Sequence, residues 1–233
     1  MELKSVLRLS SESILLSNIM DKNLKIDISQ SQYEDGMNIF ERFVKRTFDA
    51  IVSLIGLLIL SPAFLYVYIR LRIQNDGPVI FSQERIGKGG RPFMIYKFRS
   101  MRMDSESHGT PQLAKEGDDR LTPVGKFLRE HHLDELPQLW NVFIGDMSFV
   151  GPRPERQYFI DQIMEHNPDY ELLYQIRPGV TSLATIYNGY TDTMEKMLIR
   201  LQMDLEYLKK RSLLYDLKII FTTVNLIING KKF

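Results

Sequence analysis

The sequence predicts an α/β chain of α+β character: a small globular cytoplasmic domain with a β-hairpin, an N-terminal re-entrant membrane helix broken at Ser61-Pro62, and interfacial amphipathic helices. Three observations predict it. Ala50–Ile69 is an uncharged, mostly apolar run interrupted by Ser61-Pro62. Two runs rich in β-branched and aromatic residues, VIFSQER and RPFMIYKFRSM, flank a tip containing Gly87, Gly89 and Gly90. Downstream, apolar residues recur at helical spacing, most clearly at Met194, Met197, Leu198, Leu201, Leu205 and Leu208 within Thr193–Lys210. A length of 233 residues suits one domain plus an anchor.

Met1–Met37 is a polar extension holding one short helical candidate, SESILLSNIM, and Gly36 marks its boundary. Its first residues lack the apolar core of a cleavable signal, so the domain beyond the membrane stretch is expected on the cytoplasmic face. Asn38–Asp49 interleaves Phe40, Phe43 and Phe48 with basic residues, as a helix lying in the membrane interface would. As a straight helix, Ala50–Ile69 would rise about 30 Å, the thickness of a hydrocarbon core. Pro62, however, cannot donate to the carbonyl of Leu58 and crowds it, so the helix must bend near mid-depth. Arg42, Lys45 and Arg46 precede the stretch and Arg70 and Arg72 follow it, which favours both ends on the cytoplasmic face. A helix that enters and leaves by one face satisfies both observations; a kinked single span and a buried core helix are the alternatives. The chain then divides into the extension 1–37, the membrane segment 38–72 and the globular domain 73–233.

After an Asn75-Asp76-Gly77-Pro78 turn come the two strands. Lys97 and Arg99, two apart, share one face and could hold a phosphate beside the glycine-containing loop, although a solvated strand face is the plainer reading. Asp104–Asp119 reads as a surface loop, and Leu121–Leu128 and Leu133–Ile144 as helices. Pro137 suits a first helical turn, which sets Asp134 and Glu135 at a helix N-terminus. There the dipole favours ionised carboxylates, and both can be aimed at one metal ion; a carboxylate beside a metal can also attack phosphorus. Plain first-turn decoration is the competing reading. Arg153 stands between Pro152 and Pro154, and Arg177 precedes Pro178-Gly179; stiff backbone lowers the entropy lost when a guanidinium clamps phosphate. Glu155–Ile176 reads as helical with a break at Asn167-Pro168. Asp204 adjoins the apolar stripe of Thr193–Lys210, as a flank charge or a carboxylate turned into a site. Leu213–Ile228 is too polar for a span and reads as a core or second interfacial helix.

Composition excludes several classes. A formal net charge of +1 gives no drive toward nucleic acid. Without cysteine there is no disulfide, thiolate metal site or cysteine nucleophile, and the four histidines show no metal-binding spacing.

The chain resembles bacterial sugar transferases of the monotopic polyprenol-phosphate phosphoglycosyltransferase family from about Phe40 to Phe221. The resemblance is carried, in this order, by the basic–apolar–Ser61-Pro62 segment, FSQERIGKGGRPFMIYKFRSM, LDELPQLWNVFIGDMSFVGPRP and RPGVTS. It implies transfer of a sugar phosphate from a UDP-sugar to undecaprenyl phosphate, releasing UMP and initiating a capsule, exopolysaccharide, O-antigen or glycoprotein glycan. It further implies that Ser61-Pro62 bends a re-entrant helix and that the enzyme sits monotopically on the cytoplasmic face of the bacterial inner membrane, in contact with its lipids. Asp134 would be the nucleophile, forming a phosphosugar-aspartate that undecaprenyl phosphate then attacks, with ping-pong kinetics. Glu135, with Asp134, would hold Mg²⁺ and assist proton transfer. Lys97 and Arg99 would face phosphates, Arg153 would clamp the donor, and Arg177 and Asp204 would complete the pocket. A homodimer is left open.

Two positions depart from the family pattern. Where many relatives have Ser-Leu-Asp-Glu, a sequence able to form a capping box, this chain has His132 in the Ser position. Where many continue Thr-Gly-Trp-Ala-Gln after Arg-Pro-Gly, it has Ser182, Leu183 and Thr185 and then Ile186–Tyr190, which bears on base and sugar selectivity. The rival reading is a non-enzymatic membrane-bound module recognising anionic lipid or nucleotide. Such a module gains little from paired acids among phosphate-binding cations. A lipid-phosphate hydrolase lacks a His- or Cys-based nucleophile here.

Overall fold

The computed structural model describes residues 34–74, 77–105, 109, 111–113, 117–189 and 191–229. The helical candidate SESILLSNIM lies outside them. The fold is mixed: eight α-helices, short 3₁₀ turns and two small two-stranded sheets among the described residues.

The interfacial and membrane stretches form one bent pair, α1 (Ile39–Ile59) and α2 (Ser61–Gln74), meeting at 59°. Among the described residues no single helix is long and apolar enough to cross a membrane, but this pair passes jointly by length and composition. Asn38 caps α1 with a reciprocal box: its Oδ1 accepts from the Glu41 amide at 2.9 Å and its own amide donates to Glu41 Oε2 at 3.1 Å. The break is chemically compensated. Pro62 leaves the Leu58 carbonyl without its i+4 donor, and the Ser61 hydroxyl donates to that same oxygen at 2.8 Å.

The polarity of α1 is inverted. Lys45, Asp49 and Ser53, four apart, face the protein, while Phe40, Leu58 and Ile59 are 72%, 67% and 70% exposed. The buried stripe is partnered. Lys45 pairs with Asp216 of α8 (Leu213–Ile228) and donates to the Val150 carbonyl; Asp49 accepts from the Phe149 amide; Arg46 donates to the Val142 and Phe143 carbonyls. Helix α8 likewise buries Asp216 and exposes Leu214, Phe221 and Ile228. Both helices thus turn polar faces inward and leave apolar faces exposed.

Strands β1 (Ile80–Ile86) and β2 (Pro92–Phe98) form the expected antiparallel hairpin in register Ile80↔Phe98 to Ile86↔Pro92. Below it, Val67 and Leu71 of α2 pack with Val79, Phe98 and Leu128, so the membrane pair and the hairpin share one core cluster. Leu128 belongs to α3 (Pro123–Glu130), which is capped by Thr122 Oγ1. Gly125 lies so close to the hairpin's exit that a Cβ there would be 1.8 Å from the Ser100 carbonyl oxygen.

The expected helix over Leu133–Ile144 is divided: a 3₁₀ turn, Leu133–Glu135, precedes α4 (Gln138–Ile144). Strand β3 (Ser148–Val150) pairs in parallel with β4 (Gly179–Thr181), a sheet the residue pattern does not announce. Two helical layers close the rest. Helix α5 (Gln157–His166), broken at Asn167-Pro168 as expected, packs through Phe159, Ile160 and Ile163 against Met197, Leu201 and Leu205 of α7 (Met194–Lys210). A short α6 (Leu183–Tyr187) and α8 pack on the other side of α7. Residues 34–37 dock at the end of α7: the Gly36 amide donates to the Leu208 carbonyl and Asp35 lies 2.7 Å from Arg211.

Candidate active site

The site is assembled from four sequence-distant segments. Asn141 of α4 holds the edge of β2, accepting from the Tyr96 amide at 3.1 Å and donating to the Met94 carbonyl at 2.7 Å. That places Lys97 over the 3₁₀ turn, where its Nζ donates to Glu135 Oε1 at 2.6 Å. The β3–β4 pairing brings Gly151–Pro154 beside Arg177–Gly179, with the Gly179 amide donating to the Pro152 carbonyl, and Arg153 reaches the same Glu135 oxygen at 3.3 Å. Lys97, Glu135 and Arg153 are therefore one cluster.

Asp134 lies beside this cluster but is differently disposed. It is 3% exposed, and its carboxylate takes part in no hydrogen bond or ion pair among the described residues. Burial and the neighbouring Glu135 raise its pKa above the ordinary Asp value, against the opposing charges of Lys97, Arg129 and His132. Burial works against Glu135 too, but Lys97 and Arg153 hold its carboxyl well below the usual range. The dyad thus holds one clamped, firmly ionised acid and one unclamped acid with a raised pKa. Such separation of two neighbouring acids is a mark of assigned chemical roles. The turn itself is strained: His132, at φ 54°, is the one non-glycine residue with positive φ among the described residues.

The other expected site residues have neighbours of their own. Arg99 is 3% exposed, packed by Gly77 and Met103, and its three guanidinium nitrogens have no hydrogen-bond partner. Arg177 donates through Nε to the Gly145 carbonyl at 2.7 Å, in the loop whose preceding carbonyls Arg46 holds. Asp204 is buried in α7 with Arg200 and Glu155; burial lifts its pKa to about 7. Ser61 and Pro62 stand at the helix bend.

Sequence reasoning missed Arg129, Glu155 and Arg200. Arg129 acts on Asp134 and keeps a buried Nη1 without a hydrogen-bond partner. Glu155 lies 3.4 Å from Arg85 and 2.8 Å from Arg200. It also raises the pKa of Arg153, where Glu135 has the larger effect, so a second carboxylate backs the clamp. The signal for Arg129 was its place five residues before Asp134, at the end of an amphipathic helix.

Among the described residues, no group of three or more His, Cys, Asp or Glu could hold a metal by itself. The two carboxylates still fit one kind of ion. Mg²⁺ is commonly bound by one or two carboxylates together with substrate phosphates, and a divalent cation relieves the repulsion between two neighbouring acids.

The turn thus carries one buried acid, Asp134, and one half-buried acid, Glu135, held by a lysine and a proline-braced arginine. Residues 40–230 match the bacterial sugar transferase family, and the chain belongs to it. It is 42% identical over 188 residues to an Aeromonas hydrophila UDP-N-acetylgalactosamine-undecaprenyl-phosphate N-acetylgalactosaminephosphotransferase, covering 81% of this chain and 44% of that protein. Against the Escherichia coli (strain K12) UDP-glucose:undecaprenyl-phosphate glucose-1-phosphate transferase it is 40% identical over 194 residues, 82% of this chain and 42% of the relative. The Rhizobium leguminosarum bv. phaseoli exopolysaccharide production protein PSS is 40% identical over 197 residues, 82% of this chain and 98% of the relative. The chain thus spans less than half of the first two relatives and matches nearly all of the third.

Proposed function

We propose that this chain transfers a sugar phosphate from a UDP-sugar to undecaprenyl phosphate, releasing UMP, as the initiating step of a bacterial surface glycan. The observation that carries the reading is the divided dyad: Glu135 clamped by Lys97 and Arg153, and Asp134 buried and unclamped beside it. The names of the relatives supply the substrate classes.

In the first half-reaction a carboxylate oxygen of Asp134 bonds to the sugar-bearing phosphorus, and the bond from that phosphorus to the UMP oxygen breaks. In the second, a phosphate oxygen of the lipid attacks the same phosphorus, and the Asp134 carboxylate leaves with its electron pair. The raised pKa sets a requirement: Asp134 must be ionised to attack, and Lys97, Arg129 and His132 are the groups that favour that form. Arg153, held between Glu135 and Glu155, presents a fixed cation to the diphosphate. Asp134 and Glu135 would hold Mg²⁺, which supplies charge neutralisation for the departing UMP when bound.

The membrane arrangement belongs to the same proposal. The bent pair α1–α2 enters and leaves by one face, with segment 38–72 as the anchor and 73–233 as the catalytic domain on the cytoplasmic side of the inner membrane. The exposed apolar faces of α1 and α8 support this. The test is UMP release from a panel of UDP-sugars with undecaprenyl phosphate and Mg²⁺. Acceptor-dependent UMP from at least one donor is expected; folded protein that releases none from any donor overturns the proposal.

A further inference from the structure

A groove of about 320 Å³ runs between α2 and α3. Tyr66, Val67 and Arg70 line one wall, and Val124, Phe127 and Leu128 the other. Its floor is the cluster of Val67, Leu71, Val79, Phe98 and Leu128. Phe127 stays 50% exposed and Tyr66 61%, so an apolar slot is left open along the protein's side. The same arm, α2, also exposes Leu65, Ile69 and Ile73, making the slot continuous with a face suited to lipid.

The slot has a direction. Helix α3 lines it with Val124, Phe127 and Leu128, and the next residue is Arg129. Arg129 keeps its buried Nη1 without a hydrogen-bond partner and acts electrostatically on Asp134. Leu133 and Leu136, on either side of the dyad, pack on the same cluster that floors the slot, and an apolar trough reaching toward that turn fits an amphiphile with a long hydrocarbon chain and a terminal anionic head. Arg70 adds a second cation on the facing wall.

We infer that the groove between α2 and α3 receives the first isoprene units of the polyprenyl phosphate acceptor, delivering its phosphate past Arg129 to the dyad. The inference rests on the proposed transfer reaction. A bulk phospholipid also has chain and charge, but its phosphodiester lacks the terminal monoester that the second half-reaction consumes.

Two measurements on the full chain in lipid nanodiscs test it. Val124→Trp fills the slot. It is expected to raise KM for undecaprenyl phosphate at least tenfold while KM for the UDP-sugar, and the acceptor-free UMP burst, change less than twofold. A parent-like KM for undecaprenyl phosphate in folded Val124→Trp protein, or an equal rise in KM for the UDP-sugar, overturns the assignment. The second measurement needs no variant. An undecaprenyl phosphate analogue carrying a photoreactive group on its first isoprene units should label the peptide spanning Pro123–Leu128, and a large excess of phosphatidylglycerol should not suppress it. Labelling confined to other segments, or suppressed by phosphatidylglycerol, overturns the inference. Failure of the transfer reaction shows differently, as the absence of UMP from the parent with every donor.

Discussion

The contact between Lys97 and Glu135 can be weighed by a double-mutant cycle. The pair is 2.6 Å apart, and its side chains are 18% and 19% exposed. Removing one partner of a fully buried ion pair costs about 3–5 kcal/mol, and one hydrogen bond to a charged group contributes about 1.5–3 kcal/mol. Here Arg153 still holds Glu135 at 3.3 Å, and water reaches part of both side chains, so the lower end applies. Lys97→Met should therefore destabilise the fold by about 2 kcal/mol, roughly a 4–8 °C drop in melting temperature for a domain of this size. Glu135→Gln removes the charge that Lys97 neutralises. Once it is made, adding Lys97→Met should cost little more, giving a coupling of about 2 kcal/mol. The assay is thermal unfolding of the parent, both single variants and the double variant in one detergent. Additivity within about 0.5 kcal/mol would refute the claim that the clamp is an energetic unit, whatever happens to activity.

Other predictions concern separate parts of the molecule. Asp204, with a folded pKa of about 7 against an ordinary 3.8, favours its protonated form in the fold. Its unfavourable contribution is absent below about pH 4 and grows as pH rises to about 7, to at most about 4 kcal/mol. Asp204→Asn should flatten the fall in stability over that window; an unchanged slope in pH-dependent melting argues against a buried neutral Asp204. For topology, single cysteines replacing Arg46 and Arg72 in this cysteine-free chain should label from the same membrane face. Labelling from opposite faces sinks the re-entrant arrangement. In the pH–rate profile, the acid limb of the donor half-reaction should lie above the ordinary Asp range and move higher in Lys97→Met, because the raised pKa of Asp134 then loses one opposing charge. A limb unmoved by that substitution separates Lys97 from Asp134.

Much of this was legible because local chemistry decided it. The hairpin follows from two β-rich runs around glycines, the bend from Pro62, and the break in Glu155–Ile176 from Asn167-Pro168. Lys97, Glu135 and Arg153 were placed at one site by the resemblance, and complementary charge joins them in the fold. What stayed hidden depended on long-range pairing. The inward polar stripe of Lys45, Asp49 and Ser53 reads as interruptions in an apolar helix until Asp216, Val150 and Phe149 supply its partners. The parallel β3–β4 pair is three residues on each side, too short for periodicity, yet it sets Arg153. Arg177 and Asp204, placed with the pocket by resemblance, find the Gly145 carbonyl and the Arg200–Glu155 pair as their neighbours. The Leu133–Ile144 run breaks at Pro137, which has no N–H for the Leu133 carbonyl, and the turn before it opens at His132 in a left-handed conformation. The dyad therefore stands on its own strained turn, ahead of the helix that was expected to carry it.

The central claim is that Asp134 carries the sugar phosphate between the two substrates. Intact-protein and peptide mass spectrometry after mixing with UDP-sugar and Mg²⁺, without acceptor, measures this directly. The account predicts a mass gain of one sugar phosphate on the peptide containing Asp134, matched by one equivalent of UMP and discharged on adding undecaprenyl phosphate. Asp134→Asn should show neither the adduct nor turnover. Turnover retained in Asp134→Asn, or UMP released with no adduct forming at any time, would contradict it.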